Sequence, residues 1–238
     1  MAEQGTGQHG NDCTHEDKQQ ECQDKEGEGI HIACDDEEEF EDTSDPEELK
    51  KLYDDWSKNY EQDVGKMNYN APRKVAEALA KIVTDKDADI LDIGCCTGLV
   101  GQELYKVGYR NIDGIDISDE CIKIAMAKNV YRKIVNEIID PEKQMSFQSC
   151  SYDVVMLVGG GMFLDIKNLK EWLRLTKKDG FTIIGVMQSE YQNEKYAVPQ
   201  TIEEYIDQGL ATRVSKEIIP DYITGKPGVV EYLRPVIK

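Results

Sequence analysis

The residue types and spacing that offer chemistry are concentrated in two strand ends. The first is Asp92-Ile93-Gly94-Cys95-Cys96-Thr97-Gly98-Leu99, which reads as a strand leaving through a tight turn into a helix. Gly94 and Gly98 let the chain turn sharply and let a ligand approach the backbone. The helix N-terminus that follows suits a phosphate or a carboxylate. A dinucleotide is disfavoured, because the glycines do not follow the G-x-G-x-x-G pattern. Asp92 would also repel a pyrophosphate, whereas it would favour a cation. The second strand end is Asp116, 22 residues after Gly94. An acid at such a place accepts hydrogen bonds from both hydroxyls of a ribose, at a spacing near the ~20 residues expected. Together the two aspartates call for a ligand with a ribose and a cation but no diphosphate. S-adenosylmethionine (SAM) combines a ribose, an adenine, a sulfonium, an ammonium and one carboxylate. A nucleotide-binding oxidoreductase is the alternative that Asp92 argues against.

The elements that must position these residues are legible in the periodicity. Asp45-Pro46 with Glu48 forms a helix start, a capping residue followed by proline in the first turn and an acid at the capping-box place. Leu49, Leu52, Tyr53, Trp56 and Tyr60 then recur at helical spacing. A second helix is expected from about Pro72. Strands are expected at 89–93, 111–115, 131–135, 152–158 and 181–186, separated mostly by helices at 119–128, 166–175 and 201–208. That alternation predicts an α/β fold with a Rossmann-like, doubly wound, mostly parallel sheet of seven strands and helices on both faces. The last two strands, 213–219 and 229–237, have only residues 220–228 between them. The gap is too short for a crossover helix, so an antiparallel hairpin is expected.

These features together resemble a class I SAM-dependent methyltransferase. The resemblance rests on Ile90-Leu91-Asp92-Ile93-Gly94-x-x-Thr97-Gly98, the Asp116 strand end and the terminal hairpin, and it covers about residues 45–238. It is closer still to the Williams–Beuren-region methyltransferase-like proteins. There it is carried by Tyr53-Asp54-x-Trp56-x-x-x-Tyr60-x-Gln62-Asp63-Val64, Tyr69-x-Ala71-Pro72-Arg73, Val155-Met156-Leu157-Val158-Gly159 and Leu173-Arg174-Leu175-Thr176-Lys177. One departure stands out: the family's loop is Gly-x-Gly-x-Gly, and Cys96 occupies the middle glycine's place.

The resemblance implies roles. Asp92 would hold the ammonium of SAM through the loop or a water, with Gly94, Cys95 and Gly98 forming the turn around it. Asp116 would hold the ribose and Ile117 would pack on the adenine. Asn136 and Glu137, to within a residue or two, would meet the adenine amino group. Gly159, in Gly159-Gly160-Gly161, would lie where methyl and acceptor meet. Residues 45–70 would form a helical lid, with Tyr60 and Tyr69 touching the methionine end or the substrate. An aromatic face there would attract the sulfonium. Arg73 would bind the carboxylate of SAM or an acidic group of the substrate. No catalytic residue is assigned, because displacement at a sulfonium depends on alignment more than on acid–base chemistry.

Charge separates the chain into two parts. The net charge of −19 falls mainly on residues 1–48, which hold 18 acids and two lysines; the other 190 residues hold 29 acids and 26 bases. Residues 1–44 are expected to be a disordered acidic tail, having too little apolar surface to order. All three histidines and Cys13, Cys22 and Cys34 lie there, but their spacing lacks the knuckles of a zinc site, so no metal is expected. A body with no basic excess gives no strong nucleic-acid signal. No stretch reaches the ~18 apolar residues of a membrane span. The start carries no signal-peptide pattern, and the seven cysteines are odd in number. A cytoplasmic monomer is therefore expected, acting on a small-molecule or protein methyl acceptor. A SAM-binding protein of little activity, working through partner contacts, is the second reading.

Overall fold

The computed structural model describes residues 45–160 and 163–237. The expected tail, with its histidines and three cysteines, lies outside the described residues, as does Gly161.

Three helices come first: α1 (Pro46–Trp56), α2 (Tyr60–Lys66) and α3 (Ala71–Ile82). Asp45 caps α1 by accepting from the N–H of Glu47, with Pro46 in the first turn. The sheet follows as β1 (Asp89–Ile93), β2 (Asn111–Asp116), β3 (Lys133–Asn136), β4 (Tyr152–Val158), β5 (Thr176–Met187), β6 (Ala211–Ile223) and β7 (Lys226–Pro235). Between these strands run α4 (Leu99–Lys106), α5 (Asp119–Ala127), α6 (Leu169–Leu175), α7 (Gln188–Gln192) and α8 (Val198–Asp207). The sheet order is β3-β2-β1-β4-β5-β7-β6, parallel except where β7 enters antiparallel to both neighbours. The expected sheet and terminal hairpin are both present. No helix of the described residues is long and apolar enough to cross a membrane.

Alternation along each strand divides the core in two. Ile90, Ile112, Val154, Met156 and Ile183 face the side covered by α3, α4 and α5. Leu91, Ile93, Ile115, Val155, Leu157 and Ile184 face α6 and α8. Strand order reverses between β1 and β4, so the crevice at the carboxyl ends of β1, β2 and β4 is where such a sheet admits a ligand.

Four boundaries differ from expectation. Helix α2 interrupts the single helical stripe read through Tyr60, because α1 stops at Trp56. Strand β3 starts at Lys133 rather than Tyr131, whose ring is drawn into the interior. Strand β5 begins at Thr176: residues 177–180, which look like a turn, form an irregularity in its pairing with β4. The hairpin is longer than expected, with only Thr224 and Gly225 between its strands. The gap read at 220–228 is instead an irregularity in β6, where Ile219 pairs with Gly228 and Ile223 with Lys226. Pro220 has no N–H for the ladder. The resulting bulge turns Tyr222 inward to 1% exposure.

Two buried carboxyls near β5 and β7 contrast in their partners. Glu231 is fully buried but accepts from the Tyr191 hydroxyl at 2.6 Å and from Arg213 Nε at 2.8 Å. Glu190, on α7, is 7% exposed, and its Oε2 has no hydrogen-bond partner among the described residues. Burial therefore pushes the Glu190 carboxyl up to about 7. A group raised in this way favours the fold when neutral, so its support is lost as pH rises from the ordinary carboxyl range through 7. Glu190→Gln removes this dependence: thermal unfolding should show the variant matching wild type at about pH 4 and exceeding it at pH 8, by up to about 3 kcal/mol. An unchanged difference between the two pH values would refute this.

Candidate functional site

A cavity of about 610 Å³ opens at the carboxyl ends of β1, β2 and β4. Its floor is Gly94, Cys96, Asp116, Ile117 and Gly159; its roof includes Leu49 and Tyr53 of α1, Tyr60 of α2 and Tyr69. A further wall comes from Ile138 to Pro141 after β3 and from Phe163 to Lys167 after β4.

Asp116 organises the floor. It is 7% exposed, and each of its oxygens holds a backbone N–H: Oδ1 that of Ser118 at 2.9 Å, Oδ2 that of Cys96 at 2.7 Å. Burial raises its pKa, and these backbone donors oppose that rise. One carboxylate thus joins the β1 turn to the start of α5. Ser118 then caps α5 through the N–H of Cys121 at 3.1 Å and donates its hydroxyl to Asp54 of α1 at 2.6 Å. Asp54 also accepts from the N–H of Glu120 at 3.2 Å and pairs with Lys50 at 2.6 Å. Lys50 reaches Asp119 at 2.9 Å. Burial works to raise the Asp54 carboxyl, but Lys50 and Ser118 hold it below its ordinary value. Helix α1 is therefore latched to the N-terminus of α5 by a line of contacts that ends on Asp116.

Aromatic rings roof the crevice. Tyr53 stands edge-on to Phe163 at 5.7 Å between centroids, and Trp56 edge-on to Tyr60 at 4.7 Å. Trp56 is buried and donates to Asp63 at 3.0 Å, so it supports the roof without lining the cavity. Tyr69 reaches across to the carbonyl of Val158 at 3.4 Å. Gly159 has φ +77, and a Cβ there would collide with the Tyr69 hydroxyl, so only glycine fits. Its N–H is also shared with the Tyr222 hydroxyl at 2.9 Å, and Tyr222 donates to the carbonyl of Gly185 at 2.7 Å.

Six residues singled out in the sequence meet in this cavity: Tyr60, Tyr69, Gly94, Asp116, Ile117 and Gly159. The other six lie elsewhere. Asp92 is 1% exposed, beneath the loop, and accepts from the Tyr131 hydroxyl at 2.7 Å. Burial pushes it up to about 7 against that hydrogen bond. Cys95 is 3% exposed and turns into the core against Gly114. Gly98 begins α4 at φ +88, where a Cβ would press on Ala125 and the Tyr131 ring at 3.0 Å. Its glycine requirement therefore comes from packing against α5. Asn136 donates to the carbonyl of Ile117 at 2.8 Å, and Glu137 accepts from the N–H of Ser146 at 3.0 Å; both brace loops beside the cavity. Arg73 is exposed and pairs with Glu77 at 2.9 Å.

Sequence reasoning missed Tyr53, Cys96 and the 138–141 segment as cavity residues. Tyr53 belongs to the aromatic stripe read from the sequence, and its place beside Tyr60 arises from the break between α1 and α2 rather than from a shared helical face. Cys96 has φ +46, an uncommon backbone state for a residue with a Cβ. Its sulfur turns toward Cys121 of α5, 3.6 Å away, leaving the centre of the cavity open.

Residues 90–180 match the family described as methyltransferase domain. The chain is 33% identical over 118 residues to human methyltransferase-like protein 27, covering 48% of each protein. It thus spans about half the length of that curated relative. A putative methyltransferase from Haloferax volcanii, solved with the Trm112 methyltransferase activator, shares the fold at TM-score 0.63 and 15% identity, covering 80% of this chain and 99% of that one. A TehB-like SAM-dependent methyltransferase from Corynebacterium glutamicum does so at 0.56 and 18%, covering 76% and 98%. Residues 90–180 thus resemble a methyltransferase domain, and the chain shares the fold of these solved methyltransferases.

Proposed function

We propose that this protein is a methyltransferase that binds SAM in the crevice over Asp116 and passes its methyl group to an acceptor entering beside Tyr69 and Gly159. The observation that carries the reading is the Asp116 carboxylate. It is held by the backbone N–H groups of Cys96 and Ser118 and lines the cavity, an acceptor of the kind that recognition of a vicinal diol requires. The residues present fit such a ligand. Ile117, Ile138 and Ile139 offer an apolar wall for a purine, and Gly159 lets the Tyr69 hydroxyl stand against the backbone at the exit of β4. Asp92 supplies negative potential beneath the loop, within electrostatic reach of Tyr69.

Bound there, SAM supplies an electrophilic methyl on a sulfonium. The chain's own contribution is alignment and exclusion of water. Tyr53, Tyr60 and Phe163 close the crevice from solvent, and the Tyr69 hydroxyl stands beside Gly159, where an acceptor atom would be oriented. Burial pushes the Tyr69 hydroxyl well above its ordinary value, so at neutral pH it orients an acceptor as a neutral hydroxyl. Helices α1 and α2 act as a lid held by Asp54. The free thiols Cys95, Cys96, Cys121 and Cys150 support a reducing, cytoplasmic compartment.

Calorimetry should give binding of SAM and S-adenosylhomocysteine but not of NAD. Tritiated SAM incubated with metabolite pools and lysate should label a product. Binding without any labelled product would leave a SAM-binding protein of little activity. Asp116→Ala should weaken S-adenosylhomocysteine by about 100-fold, on the scale of two charge-assisted hydrogen bonds. Full affinity in a folded variant would remove the ribose role. Binding of SAM should also release protons. A cation above Asp92 lowers a carboxyl that otherwise titrates near 7, so at pH 7 up to about half a proton should leave. The binding enthalpy should then vary with the ionisation enthalpy of the buffer, and Asp92→Asn should abolish the variation. Asp54→Ala should raise hydrogen exchange across residues 46–56 and weaken SAM about 5- to 10-fold. Exchange equal to wild type would show that α1 is held by other contacts.

A further inference from the structure

Two thiols face each other across the cavity floor. Cys96 belongs to the β1 turn, is partly exposed and lines the cavity. Cys121 lies in the first turn of α5 and is fully buried. Their sulfurs are 3.6 Å apart, and the Cys121 sulfur also lies 3.6 Å from the carbonyl oxygen of Tyr53 in α1. The pair therefore joins the β1 turn, helix α5 and, through Cys121, the carbonyl of Tyr53 in the roof. The adjacent Cys95 points the other way, into the core.

We propose that Cys96 and Cys121 form a covalent modification site: a reversible disulfide, made by exchange with a small-molecule disulfide that enters through the cavity and lowering the protein's affinity for its cofactor. A rotation that shortens the gap from 3.6 Å to the ~2.05 Å of an S–S bond closes it. The Cys96 sulfur attacks one sulfur of the small disulfide, RSSR, and the first RSH leaves with the Cys96 proton. The Cys121 sulfur then attacks the Cys96 sulfur, and the second RSH leaves with the Cys121 proton. The protein loses two hydrogens and the oxidant gains them.

The consequence follows from the neighbours. The Cys96 N–H is one of the two that fix Asp116, and drawing Cys96 toward α5 shifts that donor. The same bond removes the Cys121 thiol from the Tyr53 carbonyl, loosening α1. Burial raises the Cys96 thiol well above its ordinary pKa, which lowers its thiolate fraction and slows the exchange. The affinity change rests on the proposed cofactor site; the bond itself does not.

Reduced full-length protein is treated with oxidised glutathione and mapped without reduction. Tryptic peptides 87–106 and 111–123 should become joined, in wild type and in Cys95→Ser alike. S-adenosylhomocysteine should bind about tenfold more weakly after oxidation, recover with dithiothreitol, and slow the oxidation when added first. Cys121→Ser should show no joined peptides and should stop at a glutathione adduct on Cys96, because the resolving thiol is gone. Because the peptide map of wild type is read alone, misfolding of that variant does not obscure the result. A glutathione adduct that goes no further, a link through Cys95, or joined peptides with unaltered affinity would overturn the proposal. If the reduced protein fails to bind S-adenosylhomocysteine, the cofactor reading falls, while the map still decides whether the two thiols pair.

Discussion

One buried carboxylate ties the parts of this molecule together. Asp116 ends the second strand, yet its two oxygens hold the turn after the first strand and the cap of the helix that follows the second. Through Ser118 it also reaches Asp54 in the N-terminal helix. Burying a charge costs much unless donors compensate, and here backbone N–H groups do so without requiring a second charge. Asp116 also lines the cavity, so the same group that stiffens the crevice borders whatever enters it. A lysine or arginine in place of those donors would neutralise the site and spoil it for a cationic cofactor.

The opposite wall is built on tyrosines. Tyr131 stretches under the loop to Asp92, Tyr69 crosses to the exit of β4, and Tyr222 bridges the exits of β4 and β5. Burial keeps all three phenols protonated. Each is a long, stiff spacer with an apolar body and a single polar end, which suits a crevice that must stay dry yet leave no backbone group unpaired. Gly98, Gly101 and Gly159 lie where those rings press closest, so several glycines of the site serve packing against tyrosine rather than contact with a ligand.

How much of this was legible in the sequence follows from the range of each interaction. Strand alternation and the short final connection are local patterns, and they predicted the sheet and its antiparallel end. Asp116 stands out because a strand-end acid at that spacing after a glycine turn has few other uses. Tyr131 was read as the first residue of a strand because nothing near it in sequence reveals that its hydroxyl belongs to Asp92, 39 residues earlier. Cys96 stands out in the sequence only as a departure from the family's glycine loop, since its partner Cys121 is 25 residues away. Tyr222 was hidden inside a segment read as a loop, and the bulge that turns it inward arises only when β7 pairs with β6. Arg73 and Glu137 carried attractive charges, yet each finds a partner close by and is held outside the cavity.

The position of β7 has a consequence for the order of assembly. It follows β6 in the chain but lies inside the sheet, between β5 and β6. During synthesis the edge of β5 therefore lacks its antiparallel partner until β7 emerges. The irregularity in β6 that presents Tyr222 to the exits of β4 and β5 depends on that pairing. A nascent chain can build Asp116 and its turn early, but the far wall of the crevice is completed only once β7 is in place. An unfinished chain would thus carry an open, apolar sheet edge and half a pocket, the form most in need of a chaperone.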